Sequence, residues 1–408
     1  MVTGLSRWLL RVVVGLSCLS SFPALSQIDP VKRELIQFGY NAAFEGHAPL
    51  SAYAFYYRNQ PDFLRTNLTL RLALAPTYMD SELGIRGVLD PYTDLGIGMG
   101  GGGYADSFNE IRGGKFLPQE SFDGFGGEVN ASLYHLFNPG HLIPLNGVLR
   151  GIAHYATYAP GSQTADNFQV PDPMGIFSVR TGFRWGGREP TLFPSLAMEL
   201  SIWYQGEFRS GADSYGFNSD RKVNSQSHLF WGEAFLAYTL PKSHHSFNIS
   251  ITAGTSASAD RFSAYRLGGF LPLVAEYPLS LPGYYYQELT AEKFVLMAGN
   301  YTVPLDSHQT WNVTVTAATA LVDYLPGFEQ PGQWHSGVGA GIFYTSRTWR
   351  VMVDYGYGID AIRSDGRGAH AIGLLFQIDL EPAREAYFKA EPPGRWRGFE
   401  RLLGVFGS

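Results

Sequence analysis

Residues 67–75, NLTLRLALA, put Leu68, Leu70, Leu72 and Leu74 on one face of an extended chain and Asn67, Thr69, Arg71 and Ala73 on the other. The same two-residue period returns in SFNISITAG, where Phe247, Ile249 and Ile251 alternate with Asn248, Ser250 and Thr252. It returns again in TWRVMVDYGYG, with Trp349, Val351, Val353, Tyr355 and Tyr357 opposite Arg350, Met352, Asp354, Gly356 and Gly358. In LAMELSIWYQGEF, Leu196, Met198, Leu200, Ile202 and Tyr204 oppose Glu199, Ser201, Gln205 and Glu207. A helical period would scatter these sets around an axis, so strands are predicted. About sixteen candidates follow by this rule, near 33–46, 50–58, 64–76, 83–89, 95–105, 123–136, 145–158, 176–186, 196–208, 228–240, 245–257, 289–303, 309–323, 335–345, 348–358 and 369–380.

The ends and the composition say where such strands would sit. The opening MVTGLSRWLLRVVVGLSCLSSFPALSQ has Arg7 and Arg11 before a short apolar run and small residues before Gln27, which reads as a secretory signal over 1–26. Its removal takes two arginines and no acid, moving the net charge from −6 to −8 and leaving no cysteine, since Cys18 lies within it. A mildly acidic chain without a basic tract is not expected to bind nucleic acid. Charged residues are only 16% of the chain against 15% aromatics, and glycine reaches 48 residues. Ordinary soluble domains are about a quarter charged. No later stretch is a spanning helix, so the expectation is an all-β transmembrane antiparallel barrel over 27–380 in the bacterial outer membrane, with outer-membrane lipid as its first partner.

Connection lengths support the same reading, because such barrels have short turns at one end and long loops at the other. NQPDF, LPKSHHS, PLDSHQ and YTSRT follow even-numbered strands, whereas long links near 105–122, 159–175, 209–227, 258–288 and 359–368 follow odd-numbered ones. The 258–288 link, between strands 11 and 12, is apolar and aromatic without a regular period, unlike a disordered tract. The expected lumen set is mixed in sign: Arg71, Arg180, Arg184 and Arg350 against Glu128, Glu199, Glu207, Glu233, Asp354 and Asp379. It suits a solute path, a plug anchor or simply a mutually neutralising interior.

Within that link stand RLGG (Arg266, Leu267, Gly268, Gly269) and LPGY (Leu281, Pro282, Gly283, Tyr284), followed by a strand closing in YTVPL (301–305). Together they resemble the barrel of the bacterial surface antigen superfamily, which includes the BamA and TamA assembly factors, two-partner-secretion transporters and outer-membrane patatin-like proteins. The resemblance implies sixteen strands, a loop 258–288 folded into the lumen, and a tether from an Arg-Gly-aromatic motif to an acid on strand 13. Pro282 occupies the arginine's place, and Asp323 in LVDY is the candidate acid. Asp323 shares the parity of Trp311, Val313 and Val315, so it would need a bulge to reach the lumen. Arg266, or failing that Arg261, is the candidate substitute partner.

Only QIDPVK separates the expected cleavage site from the first strand, so POTRA-type capture of substrate would have to come from a separate periplasmic accessory protein. The last strand, AIGLLFQIDL, is followed by a tail, 381–408, in which GRWRGFERLLGVF could form an interfacial amphipathic helix.

Other chemistry finds little footing. GMGGGGY (98–104) lacks the Lys-Ser/Thr of a phosphate loop, His244 and His245 lack spaced companion ligands, and His154 and Ser178 fall on separate strands. No enzyme activity, cofactor or metal is expected. The functional expectation is a surface-antigen-type barrel assisting protein or lipid insertion or translocation, with a porin-like channel or a closed recognition barrel as the alternatives.

Overall fold

The computed structural model describes residues 28–29, 31–141, 143–187, 196–270, 278–363 and 366–381. The expected signal and all of the expected tail except Glu381 lie outside them. The fold is an all-β barrel of sixteen strands: β1 (Arg33–Ala43), β2 (Ser51–Pro61), β3 (Leu68–Leu74), β4 (Tyr78–Ile85), β5 (Thr93–Gly103), β6 (Phe122–Leu136), β7 (Leu145–Pro160), β8 (Met174–Gly187), β9 (Leu196–Arg209), β10 (Gln226–Thr239), β11 (Ser246–Ala257), β12 (Leu289–Pro304), β13 (Trp311–Tyr324), β14 (Trp334–Thr345), β15 (Trp349–Arg363) and β16 (Gly366–Asp379). Each pairs antiparallel with its sequence neighbours, and β1 closes on β16 from Leu35↔Asp379 to Ala43↔Ala371. Closure removes the unpaired edges that an open sheet would expose.

Fifteen expected strands fall within a few residues of these bounds; the fourth is displaced. It was expected at 83–89 and runs over Tyr78–Ile85. Asp80 and Glu82 lie inward, while Ser81 interrupts the outward row of Met79, Leu83 and Ile85, so the apolar alternation there is weak. Residues 86–92 instead form the turn, with Gly87 at φ +67° and the Val88 N–H bonded to the Thr93 carbonyl.

The wall is two-faced as a barrel in lipid must be. On β9, Trp203 is 6% exposed and its neighbour Ile202 is 61% exposed. On β14, His335 and Phe343 are buried while Val338 and Ile342 are exposed. Exposed outward Phe, Leu, Ile and Val recur around the barrel, a surface that water would penalise and a bilayer accommodates. No helix among the described residues is long and apolar enough to cross a membrane.

The two ends differ. At the short-turn end, Ile28 lies inside the barrel, packed with Tyr134, Val148 and Trp203. At the other end, four long connections lock together. Phe108, Phe122, Phe168, Met174 and Tyr215 form one buried cluster, with Phe262 packed against it. Phe168–Gln169 pairs with Ser214–Phe217, joining the β7–β8 and β9–β10 connections. Beside this cluster Glu110 is fully buried and meets Arg112 at 3.1 Å, Arg261 at 3.3 Å and Arg221 at 3.7 Å. A buried carboxylate is tolerated only with such compensation.

Candidate functional site: the loop between β11 and β12

The connection 258–288 begins as part of this cap. Asp260 accepts from Arg209 at 2.6 Å and from the Asn224 backbone N–H at 2.8 Å. Tyr265–Leu267 then pairs with the first residues of β12, Tyr265 opposite Ala291 and Leu267 opposite Leu289. There the chain turns at Gly268 and Gly269, whose φ values are +134° and +61°. Side chains at these two positions would overlap the backbone of Tyr285, Tyr286 and Glu288, so the glycines let the returning strand of the loop cross at close range.

That returning strand lies against the inner wall. A Cβ at Gly283 (φ +81°) would overlap the backbone N of Gly358 on β15, and one at Gly337 on β14 would overlap the Pro282 carbonyl. Glycines on both sides of the contact therefore permit backbone-to-backbone approach. Phe270 packs against Phe343, Met352 and Leu375, and lies next to Gly373 on β16. Tyr284 is fully buried, its Oη 3.2 Å from His335 Nδ1.

The strongest anchor is one the sequence reading missed. Glu288 accepts two bonds from Arg363 at the end of β15, at 2.8 and 3.0 Å, with both side chains 3% exposed or less. Arg363 also covers the Tyr285 ring at 3.7 Å, and Tyr285 donates its hydroxyl to the Glu45 carbonyl at 2.9 Å. Glu45 in turn accepts from the His370 backbone N–H at 2.6 Å. The loop is thus joined to the junction between β1 and β16. In sequence, Glu288 and Arg363 look like two ordinary charges at strand ends, and nothing local pairs positions 75 residues apart.

Asp323 does not serve as the tether acid. It points outward and meets Lys293 at 3.4 Å, both more than half exposed. The irregularity that could have turned it inward lies on β12, between Ala291 and Lys293, and leaves the parity of β13 intact. The two candidate arginines turn to the cap instead. Arg266 donates to the Asn109 carbonyl at 2.7 Å and lies over Phe108, while burial pushes its guanidinium down to about 10. Arg261 meets Glu110.

The remaining predicted charges line the interior in small neutralising groups. Arg71 meets Asp80 at 3.3 Å and Glu82 at 3.9 Å, and Glu82 also accepts from Arg150 and Tyr134. Arg184 meets Glu199 at 3.2 Å, Arg180 bonds Gln205 at 2.9 Å, and Glu207 pairs with Arg209 at 2.6 Å. Glu233 and Asp354 are buried, and Arg350 lies 3.9 Å from Asp379. Glu128 is 3.8 Å from His154, whose Nε2 is 3.0 Å from Asp106. Ser178 lies on the adjacent strand, two pairs along from the Ile176↔His154 pair, but the imidazole is turned to Asp106. Among the described residues no group of three or more His, Cys, Asp and Glu side chains could hold a metal.

Fold and loop define a class: a sixteen-stranded, membrane-type barrel with a connection seated on its inner wall. No protein-family model matches the sequence, and no curated protein matches it. Solved structures do. CdiB from Acinetobacter baumannii superposes with a TM-score of 0.58 at 8% identity, covering 86% of this chain and 60% of that one. CdiB from Escherichia coli gives 0.57 at 11% identity, covering 89% and 69%. BamA from Haemophilus ducreyi, in a form lacking POTRA domains 1–3, gives 0.53 at 11% identity, covering 90% and 78%. At such identities the likeness is one of fold, and the chain spans only 60% of the length of the first of these structures.

Proposed function

We propose that this chain is an outer-membrane barrel of the surface antigen superfamily, exported by its N-terminal signal, whose 258–288 connection closes the lumen and must be displaced for function. In this reading it assists insertion or translocation of polypeptide or lipid together with a separate periplasmic partner. One observation carries the reading: the Pro282–Gly283 backbone rests on inward glycines of β14 and β15 and is locked there by Glu288 and Arg363. Backbone-to-backbone seating and a buried ion pair hold the loop fixed on the inner wall, as a plug requires. The interlocked aromatic cap favours one alternative, a closed barrel whose loops act in surface recognition.

Single-channel conductance in planar bilayers separates these readings, comparing the mature chain with a variant lacking 262–284. A nearly silent parent and a large, steady pore in the variant are expected. Large steady conductance in the parent would reject the plug and favour a porin. Silence in both would favour the closed recognition barrel.

A further inference from the structure

The outer wall carries a groove of about 670 Å³ across β8 to β13. Its floor is small: Gly232 and Ala253 face each other across the β10–β11 pairing. One bank is built by Ile202, Tyr204 and Phe230, the last two with ring centroids 4.8 Å apart. The other bank is Val295 and Leu321, directly paired on β12 and β13. Two residue pairs nearer the cap stands Lys293↔Asp323, an ion pair at 3.4 Å on the same outward face.

That ion pair is costly wherever hydrocarbon surrounds it, and its cost falls towards the headgroup level. Beyond it β12 pairs edge to edge with Tyr265–Leu267, and Leu289, Thr290 and Ala291 are all buried whichever face they take, so Lys293 and Asp323 mark the top of the exposed wall here. The groove therefore runs from headgroup level into the apolar zone. A lysine and an aspartate side by side offer a cation and an anion within one headgroup's reach, which is the complement of a phosphate followed by an ammonium.

We infer that this groove holds one aminophospholipid, an acyl chain lying over Gly232 and Ala253 with its phosphate at Lys293 and its ammonium at Asp323. The inference rests on the outward face being lipid-facing and is independent of the plug.

The test uses the mature chain folded into vesicles of equal parts phosphatidylethanolamine, phosphatidylglycerol and phosphatidylcholine, extracted in mild detergent and weighed by native mass spectrometry. One phosphatidylethanolamine should be retained at least tenfold over either competitor. Ala253→Leu, which fills the floor, should cut retention at least fivefold, as should the double variant K293A/D323A. Ala340→Leu, the same change elsewhere on the outward wall, should leave it unaltered. Should Ala253→Leu fail to fold, judged by its heat-dependent gel shift, the double variant decides. Equal retention of phosphatidylglycerol or phosphatidylcholine, retention untouched by the double variant, or loss of every lipid on extraction would each overturn the inference. Failure of the parent chain to enter vesicles would instead remove the membrane reading beneath it.

Discussion

Glu288 and Arg363 show how unequal two halves of a buried pair can be. With both side chains 3% exposed or less, removing one partner leaves an uncompensated charge in a dry setting, which costs about 3–5 kcal/mol. Arg363→Met and Glu288→Gln should each lower the urea midpoint of the folded barrel, whereas the double variant should recover much of the loss. Additive losses in that cycle would mean the pair is not coupled. Tyr285→Phe removes one hydroxyl and its bond to the Glu45 carbonyl, so a loss of only about 1 kcal/mol is expected in the same assay. Asp306, in the β12–β13 turn, offers a pH test. The backbone N–H of Trp311, with those of Thr310 and His308, holds its carboxyl below the usual range. A depressed folded-state value means the stabilisation is present above the unfolded value of about 3.9 and is lost as pH falls through the folded one. Amide exchange at Thr310 and Trp311, corrected for intrinsic rate, should stay slow near neutrality and accelerate in acid. Asp306→Asn, with a single acceptor oxygen, should show faster exchange at neutral pH and little further acid dependence.

At the scale of elements, what could be read in the sequence divides cleanly from what could not. Strands were legible because a wall between lipid and lumen imposes a period of two on every residue, which the Leu68–Leu74 run obeys and the Trp349–Gly358 run breaks only at the inward Met352. The fourth strand was misplaced because Ser81 weakens its outward row. The loop was legible as unusual, and its glycines as points of close approach, but its partners were not. A side chain's parity follows from its own strand, whereas the choice of Arg363 for Glu288, or of Glu110 for Arg261, depends on how distant segments meet. Gly283 tests the element directly. Its φ of +81° costs an L-residue about 1–2 kcal/mol, and a Cβ would also strike the Gly358 backbone. Gly283→Ala should therefore unseat the loop from β14 and β15 while the strands keep their heat-resistant fold. Bilayer conductance should rise towards that of the 262–284 deletion. An unchanged, silent channel would show that the loop can seal the lumen without this contact.

For the whole molecule the central question is whether the cap opens in parts or as one body. Its four connections share a single aromatic cluster and a carboxylate, Glu110, that three arginines from three different connections approach. Arg112 belongs to the β5–β6 connection, Arg221 to β9–β10 and Arg261 to β11–β12. Interior packing of this kind is bistable rather than continuously deformable, so loss of the shared anion should free all three together. Glu110→Ala leaves three guanidinium groups facing one another, with Glu120 to offset Arg112 and Arg221, the exposed Asp220 beside Arg221, and neither acid paired with Arg261. In vesicles with the cap outward, limited trypsin should then cut after Arg221 and Arg261 at least tenfold faster than in the parent, although neither lies on the altered loop. Cleavage confined to Arg112 would mean that the connections open independently. Joint release would tie the cap to the 258–288 connection, because the segment carrying Arg261 leads directly into Tyr265–Leu267 and the turn at Gly268 and Gly269. A ligand that pulled Arg221 away from Glu110 would then loosen the inner loop without touching it.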